Sequence, residues 1–177
     1  WLKKEQINSF SESEISNSAF ESIEKYFFEK KNKQAQKQIQ DFLLRYPNHS
    51  KTTLLKYYLA DINFQDKQWN NAFQLYEQIM NLPFNEYSEK SIVNAILSLQ
   101  NLNQSLNTES LLVKLKKITV HEENINFANT NLMALYFSKG DFFKARDISN
   151  EILNQKYIDS NIYQDAIEVF ARSSIYL

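Results

Sequence analysis

A chain of 177 residues with one glycine and two prolines has few ways to turn except between helices. Average usage would supply roughly twelve glycines and nine prolines. Glycine reaches left-handed backbone conformations, and proline breaks helices and ladders. β-Hairpins and bulges demand such residues, and the strand-to-helix loops of α/β domains usually do. An all-α chain is expected, with helices joined by short polar turns.

The apolar residues support this by their spacing. Ile15, Ala19, Ile23, Tyr26 and Phe27 form one stripe, and Ala35, Ile39, Phe42 and Leu43 the next. Leu55, Leu59 and Ile62 precede Phe73, Tyr76, Ile79 and Met80. Ile92, Ala95, Ile96, Leu99 and Leu102 precede Leu111, Leu112, Leu115 and Ile118. Ala128, Leu132, Leu135 and Tyr136 precede Phe142, Ala145, Ile148 and Ile152, and Ile162, Ala166 and Phe170 begin a last helix. Thirteen phenylalanines and ten tyrosines supply enough apolar surface to argue against disorder.

Polar breaks such as Lys31–Lys33, Asp66–Gln68, Asn103–Thr108, Lys139–Asp141 and Lys156–Ser160 separate the stripes. Ser11 followed by Glu14 has capping-box spacing, and Ser50 and Ser160 are candidate caps. Pro47, Pro83 and Gly140 are stop signals. Helices this long with short loops must fold back on their neighbours. One domain over 1–177 is expected, with hairpins at about 12–47, 50–83, 86–121 and 124–156 and a last helix at 160–177. The chain starts at Trp1 rather than Met, and Trp1–Phe10 reads like the end of a helix, as in a piece of a longer protein.

The second helices repeat. Ala35-x-x-x-Ile39-x-x-Phe42, Ala72-x-x-x-Tyr76-x-x-Ile79 and Ala145-x-x-x-Ser149-x-x-Ile152 share one pattern. In the third hairpin Ser110 takes the small position, although Lys114 and Lys117 then interrupt it. Tyr26 and Tyr136 stand nine residues before their alanines, with Asn63 and Asn101 in the same place elsewhere. A small residue early in the second helix admits the first helix closely, and a large one a turn later fills the gap to the next repeat.

These motifs resemble a known family. Lys139-Gly140-Asp141-Phe142-Phe143-Lys144-Ala145 is similar to the Gly-Asp-aromatic-x-Lys-Ala turn of tetratricopeptide repeats, as is Tyr58-Leu59-Ala60-Asp61 with Trp69-Asn70-Asn71-Ala72-Phe73. Phe42-Leu43-Leu44-Arg45-Tyr46-Pro47-Asn48 resembles the repeat close of bacterial cell-envelope proteins. Over nearly its whole length the chain resembles the C-terminal repeat region of large Bacteroidetes tetratricopeptide proteins. The resemblance implies a right-handed α-solenoid of antiparallel helix hairpins, a periplasmic or outer-membrane-associated setting in a bacterium, and a protein or peptide partner. It specifies a fold better than a function.

The family lines its concave face with the first helix of each hairpin. Residue by residue, that implies Phe20, Glu24, Phe27 and Phe28 from the first repeat, and Leu54, Tyr57, Asp61, Phe64 and Gln65 from the second. The fourth contributes Phe127, Thr130, Ala134, Phe137 and Ser138. Phe27, Phe64 and Phe137 share one position and would form a row of partner-binding rings. The alternative is that these rings pack into neighbouring helices. The Lys and Asn positions with which the family grips chaperone C-termini hold Phe20/Glu24 and Tyr57/Asp61 instead, which disfavours a co-chaperone role.

Chemistry is sparse. The chain has no cysteine, and its two histidines, His49 and His121, fall in separate turns, where exposed structural roles are expected. Glu12, Glu14, Glu122 and Glu123 sit at helix starts, where carboxylates favour the positive end of the dipole. A single glycine cannot build a phosphate loop. A net charge of −1 disfavours nucleic acid, and no apolar run approaches the ~20 residues of a membrane span. The expectation is a non-catalytic scaffold with no cofactor and no metal. The alternative is a structural spacer or self-association segment of a larger solenoid.

Overall fold

The computed structural model of the chain describes residues 11–156 and 158–177. The helix end expected within Trp1–Phe10, and Tyr157 of the last polar break, lie outside the described residues. Among the described residues there are nine α-helices and no strand. They are α1 Glu12–Phe28, α2 Asn32–Arg45, α3 Thr52–Gln65, α4 Trp69–Met80, α5 Ser88–Asn101, α6 Glu109–Ile118, α7 Glu122–Ser138, α8 Phe142–Leu153 and α9 Ser160–Ile175. A 3-10 turn, Ser105–Asn107, precedes α6. The main helix–helix contacts run between consecutive helices, with α7 also touching α9. Such neighbour-only packing is compatible with an α-solenoid.

Apolar stripes at i, i+4 and i+7 become the core. Ala35, Ile39 and Phe42 on α2, and Ala72, Tyr76 and Ile79 on α4, are buried. One cluster joins α1, α2 and α3, a second runs from α3 to α8, and Tyr57 and Leu75 touch both. Met133, Ile152 and Ala166 close the far end. The buried hydroxyls of Ser98 and Ser149 donate to carbonyls one turn back, of Asn94 and Ala145, both at 2.7 Å. That removes most of the cost of burying them.

The turns after α1, α3, α5 and α7 are four copies of one device. Lys30, Lys67, Asn103 and Gly140 each have φ between 57° and 74°. In each turn that residue's N–H donates to the carbonyl three residues back, those of Phe27, Phe64, Gln100 and Phe137. The following N–H donates five back, to Tyr26, Asn63, Leu99 and Tyr136. This is the Schellman pattern, which satisfies carbonyls a helix end leaves free. The four sites are 37, 36 and 37 residues apart.

This spacing corrects the third repeat. The small position lies five residues past each turn, at Ala35, Ala72, Thr108 and Ala145, all at most 2% exposed. Ser110, expected there from the sequence, is exposed. The register is Thr108-x-x-x-Leu112-x-x-Leu115, every member buried, and Lys114 and Lys117 are then outward positions. Correspondingly Leu99, not Asn101, takes the place of Tyr26 and Tyr136.

The caps follow expectation once. Ser11 and Glu14 form the capping box, with the Ser11 N–H donating to the Glu14 carboxylate at 2.7 Å and the Glu14 N–H to Ser11 Oγ at 3.3 Å. Ser50 and Ser160 are not caps. The Lys51 N–H donates to His49 Nδ1 at 3.2 Å, and the Asn161 N–H to Asp159 at 2.8 Å. A side chain one residue earlier reaches the open amide in each case.

Candidate functional site

The groove positions read from the sequence fall on α1, α3 and α7, and most are half-buried. Phe28, Gln65, Ala134 and Ser138 are exposed, and Phe20 is the one that is buried. It is core, 9% exposed, with the Lys51 ammonium 5.0 Å from its ring centre. Phe27 stacks on Tyr58 with ring centres 3.9 Å apart and planes 13° from parallel. Phe28, 68% exposed, meets both rings edge-on. Phe64 stands edge-on to Trp69 at 4.9 Å, and Phe137 to Phe142 at 5.6 Å. The Arg172 guanidinium of α9 lies 4.8 Å over Phe137. Each ring of the Phe27, Phe64 and Phe137 row thus has an aromatic partner on one side while remaining partly open to solvent.

The second repeat carries the densest arrangement. Tyr57 stacks on Tyr87 at 5.3 Å and tilts against Tyr76 at 6.1 Å, and Leu54 packs beside the α1–α3 core. Asp61 Oδ1 accepts from the Tyr76 hydroxyl at 2.9 Å and from Asn94 Nδ2 at 3.5 Å. Asn94 also donates to the Tyr76 hydroxyl oxygen at 3.1 Å. One repeat earlier, Glu24 Oε1 accepts from the Tyr58 hydroxyl at 3.4 Å.

Burial acts on these groups in the direction that disfavours charge. It raises Asp61 above the usual carboxylate range, with the Tyr76 hydroxyl and the more distant Lys90 ammonium pulling the other way. It pushes Tyr57 up to about 12, and the Asp61 charge adds to this. Tyr76 rises further for the same two reasons, and Tyr58 rises through burial and then the Glu24 charge.

In the fourth repeat Phe127 and Thr130 line a hollow of about 560 Å³ with Glu122, Glu123, Asn126, Asn131 and Ile162. Ala134 and Ser138 are exposed beside it in sequence. The third repeat was missed by the sequence reading, because its register slipped by two residues. The corrected positions are Lys90, Val93, Leu97, Gln100 and Asn101. Gln100 Nε2 donates to Asn131 Oδ1 at 2.7 Å, tying α5 to α7. The available signal was Asn103, a residue type that tolerates positive φ, 36 residues past Lys67.

A separate groove of about 570 Å³ lies between α1 and α2, lined by Ile15, Ser18, Ala19, Ser22, Phe42 and Tyr46 among others. None of the groove positions above faces it. Ser18 and Ser22 are open there, whereas their equivalents Leu55 and Leu59, Ser91 and Ala95, and Ala128 and Leu132 are buried. In those repeats a preceding second helix packs over the site.

His49 is half-buried rather than exposed, edge-on to Phe42 at 5.1 Å, while His121 is exposed. Among the described residues no group of three His, Asp or Glu could hold a metal ion, and no helix is long and apolar enough to cross a membrane. No protein-family model matches the chain, and no curated protein matches it.

Proposed function

We propose that the chain is a tetratricopeptide-like solenoid of antiparallel hairpins, right-handed in its superhelix, that binds a segment of another protein and carries out no catalysis. One observation supports this reading above the rest. Phe27, Phe64 and Phe137 recur at the same point of the first helices α1, α3 and α7, two residues before the cap that begins each Schellman turn, with Gln100 in that place on α5, and all three stay partly open. Phe27 and Phe64, each held by a neighbouring ring and partly open elsewhere, lose little entropy when a partner covers them, which is how aromatic anchors contribute to interfaces. The resemblance of the turn and close motifs to cell-envelope repeat proteins suggests a bacterial, periplasmic setting.

The test is a comparison of captures from an envelope extract of the source organism. Wild-type chain runs beside a Tyr57→Ala/Phe64→Ala variant whose circular dichroism remains helical. A defined protein held by the first and lost by the second supports a groove that binds. Equal capture removes the groove. The second reading is a spacer or self-association segment, favoured by incompletely covered faces of α1 and α9 among the described residues. Ser18 and Ser22 line an open groove at α1, and Phe170 on α9 is half-buried where Ile23, Ala60, Ile96 and Met133 are fully covered. A mass that rises with concentration in light scattering would support that reading instead.

A further inference from the structure

We propose that Glu24 with Phe27, and Asp61 with Phe64, are two receiving sites for arginine side chains of the partner segment. This rests on the groove reading above and names the chemistry of its occupant.

Each site is a carboxylate and a ring three residues apart on one helix, so they share a face and stand one turn from each other, ~4.5 Å along the axis. The two pairs are 37 residues apart, one repeat. Each carboxylate uses one oxygen for its protein donors. Tyr58 reaches Glu24 Oε1, and both Tyr76 and Asn94 reach Asp61 Oδ1, which leaves the other oxygen of each to accept from a ligand. Among the described residues no ammonium or guanidinium lies within 4.0 Å of either carboxylate. Lys90 acts on Asp61 only from farther away. No groove position of the first two repeats is basic. The cations of this region stand on its turns, at Lys30, Lys31 and Lys67, in the first turn of α2, at Lys33, and on α1 and α3, at Lys25 and Lys56, none of them in an ion pair with either carboxylate.

The chain supplies its own example of the bound state. In the fourth repeat Arg172 lies over Phe137, at the position of Phe27 and Phe64, while its Nη1 donates to Glu168 at 2.9 Å. There α9 provides both cation and acid, and the acid position of α7 is Ala134. In the first two repeats the acid is built into the groove helix and, among the described residues, no cation faces the ring. A guanidinium is planar and weakly hydrated. It stacks on a ring while its edge donates to a carboxylate, which an ammonium cannot do. Half-burial strengthens both interactions.

The experiment measures anisotropy of fluorescein-labelled hexa-arginine, hexa-lysine and hexa-glutamate peptides with the full chain at physiological ionic strength. Hexa-arginine is expected to bind most tightly, hexa-lysine several-fold more weakly, and hexa-glutamate not at all. Glu24→Gln/Asp61→Asn is expected to weaken hexa-arginine about tenfold, since it keeps each acceptor and removes both charges. Lys33→Ala, at an exposed position in the first turn of α2, should change nothing, and melting curves confirm that each variant is folded. Equal affinity of the double variant and wild type, arginine no better than lysine, or no binding of hexa-arginine overturns the assignment. If hexa-arginine fails while the Tyr57→Ala/Phe64→Ala variant still loses a captured protein, the arginine sites fall and the groove stands. If that variant loses nothing, the groove itself falls.

Discussion

Lys67 and Gly140 occupy the same point of two equivalent turns, with φ of 60° and 74°. Glycine holds that conformation without strain, whereas a lysine Cβ crowds its own carbonyl there at ~1–2 kcal/mol. Lys67→Gly should therefore raise stability by about 1 kcal/mol, and Lys30→Gly similarly. A Cβ at Gly140 would meet nothing within 4 Å. Gly140→Ala should then cost about 1 kcal/mol through the backbone alone. Urea midpoints of the three variants test this, and a Lys67→Gly variant no more stable than wild type would argue against the left-handed turn.

The third repeat is tested by a pair of substitutions two residues apart. Thr108 is buried against the neighbouring helices and its hydroxyl donates to the Ser105 carbonyl at 2.6 Å. Thr108→Leu should overpack and cost ~1–3 kcal/mol, as should Ala145→Leu at the same position of the next repeat. Ser110 is exposed, so Ser110→Leu should stay within about 0.5 kcal/mol of wild type. The opposite ranking in thermal melts would restore the slipped register.

The helices were largely legible because their signals are local. Ser11 and Glu14 are three residues apart, Pro47 stands two past α2, and the alanines of α2, α4 and α8 open one repeated pattern. The third repeat was not legible. Its small position is a threonine at the entry of α6, and Ser110 offered a better chemical match two residues later. Lysines at Lys30 and Lys67 likewise hide the turn that Gly140 announces. In the groove, the family resemblance singled out Phe27 and Asp61 but not what they touch. The Phe27–Tyr58 stack and the Tyr76–Asp61–Asn94 network join residues 15 to 33 apart, on helices whose rotation no local pattern encodes. Phe20 entered the core for the same reason.

Asp61 is a carboxylate held partly away from water by neutral donors. Its carboxyl is raised above 3.8 mainly by burial. Between that raised value and 3.8 the folded chain binds a proton that the unfolded chain does not, so Asp61's contribution to stability grows as pH falls through the window. At neutral pH its charge is therefore a net burden. Asp61→Asn keeps an oxygen to accept from Tyr76 and should be at least as stable as wild type at pH 7. The advantage should vanish on acidification through the window. Denaturation at neutral and acid pH reads both. A variant clearly weaker at neutral pH would show that the carboxylate stabilises the fold, contrary to its burial.

Alkaline pH should act through the same cluster. Tyr57 ionises at about 12, raised first by burial and then by the Asp61 charge, and Tyr76 later still. In the unfolded chain both titrate near the ordinary value of 10.0. From 10 to about 12 the folded state keeps protons that the unfolded state releases, so the stability they contribute is present below 10 and lost as pH rises through the folded value. Phenolate absorbance should accordingly rise in two stages, exposed tyrosines first and the cluster only with loss of helical circular dichroism. Tyr57→Phe removes one of these protons and should reduce the fall in stability above pH 10 while leaving Tyr76 to titrate with unfolding. If all tyrosines ionise together near 10 with helicity intact, the Tyr57–Tyr76–Asp61 cluster is open to water, and the half-buried carboxylate on which the second arginine site depends goes with it.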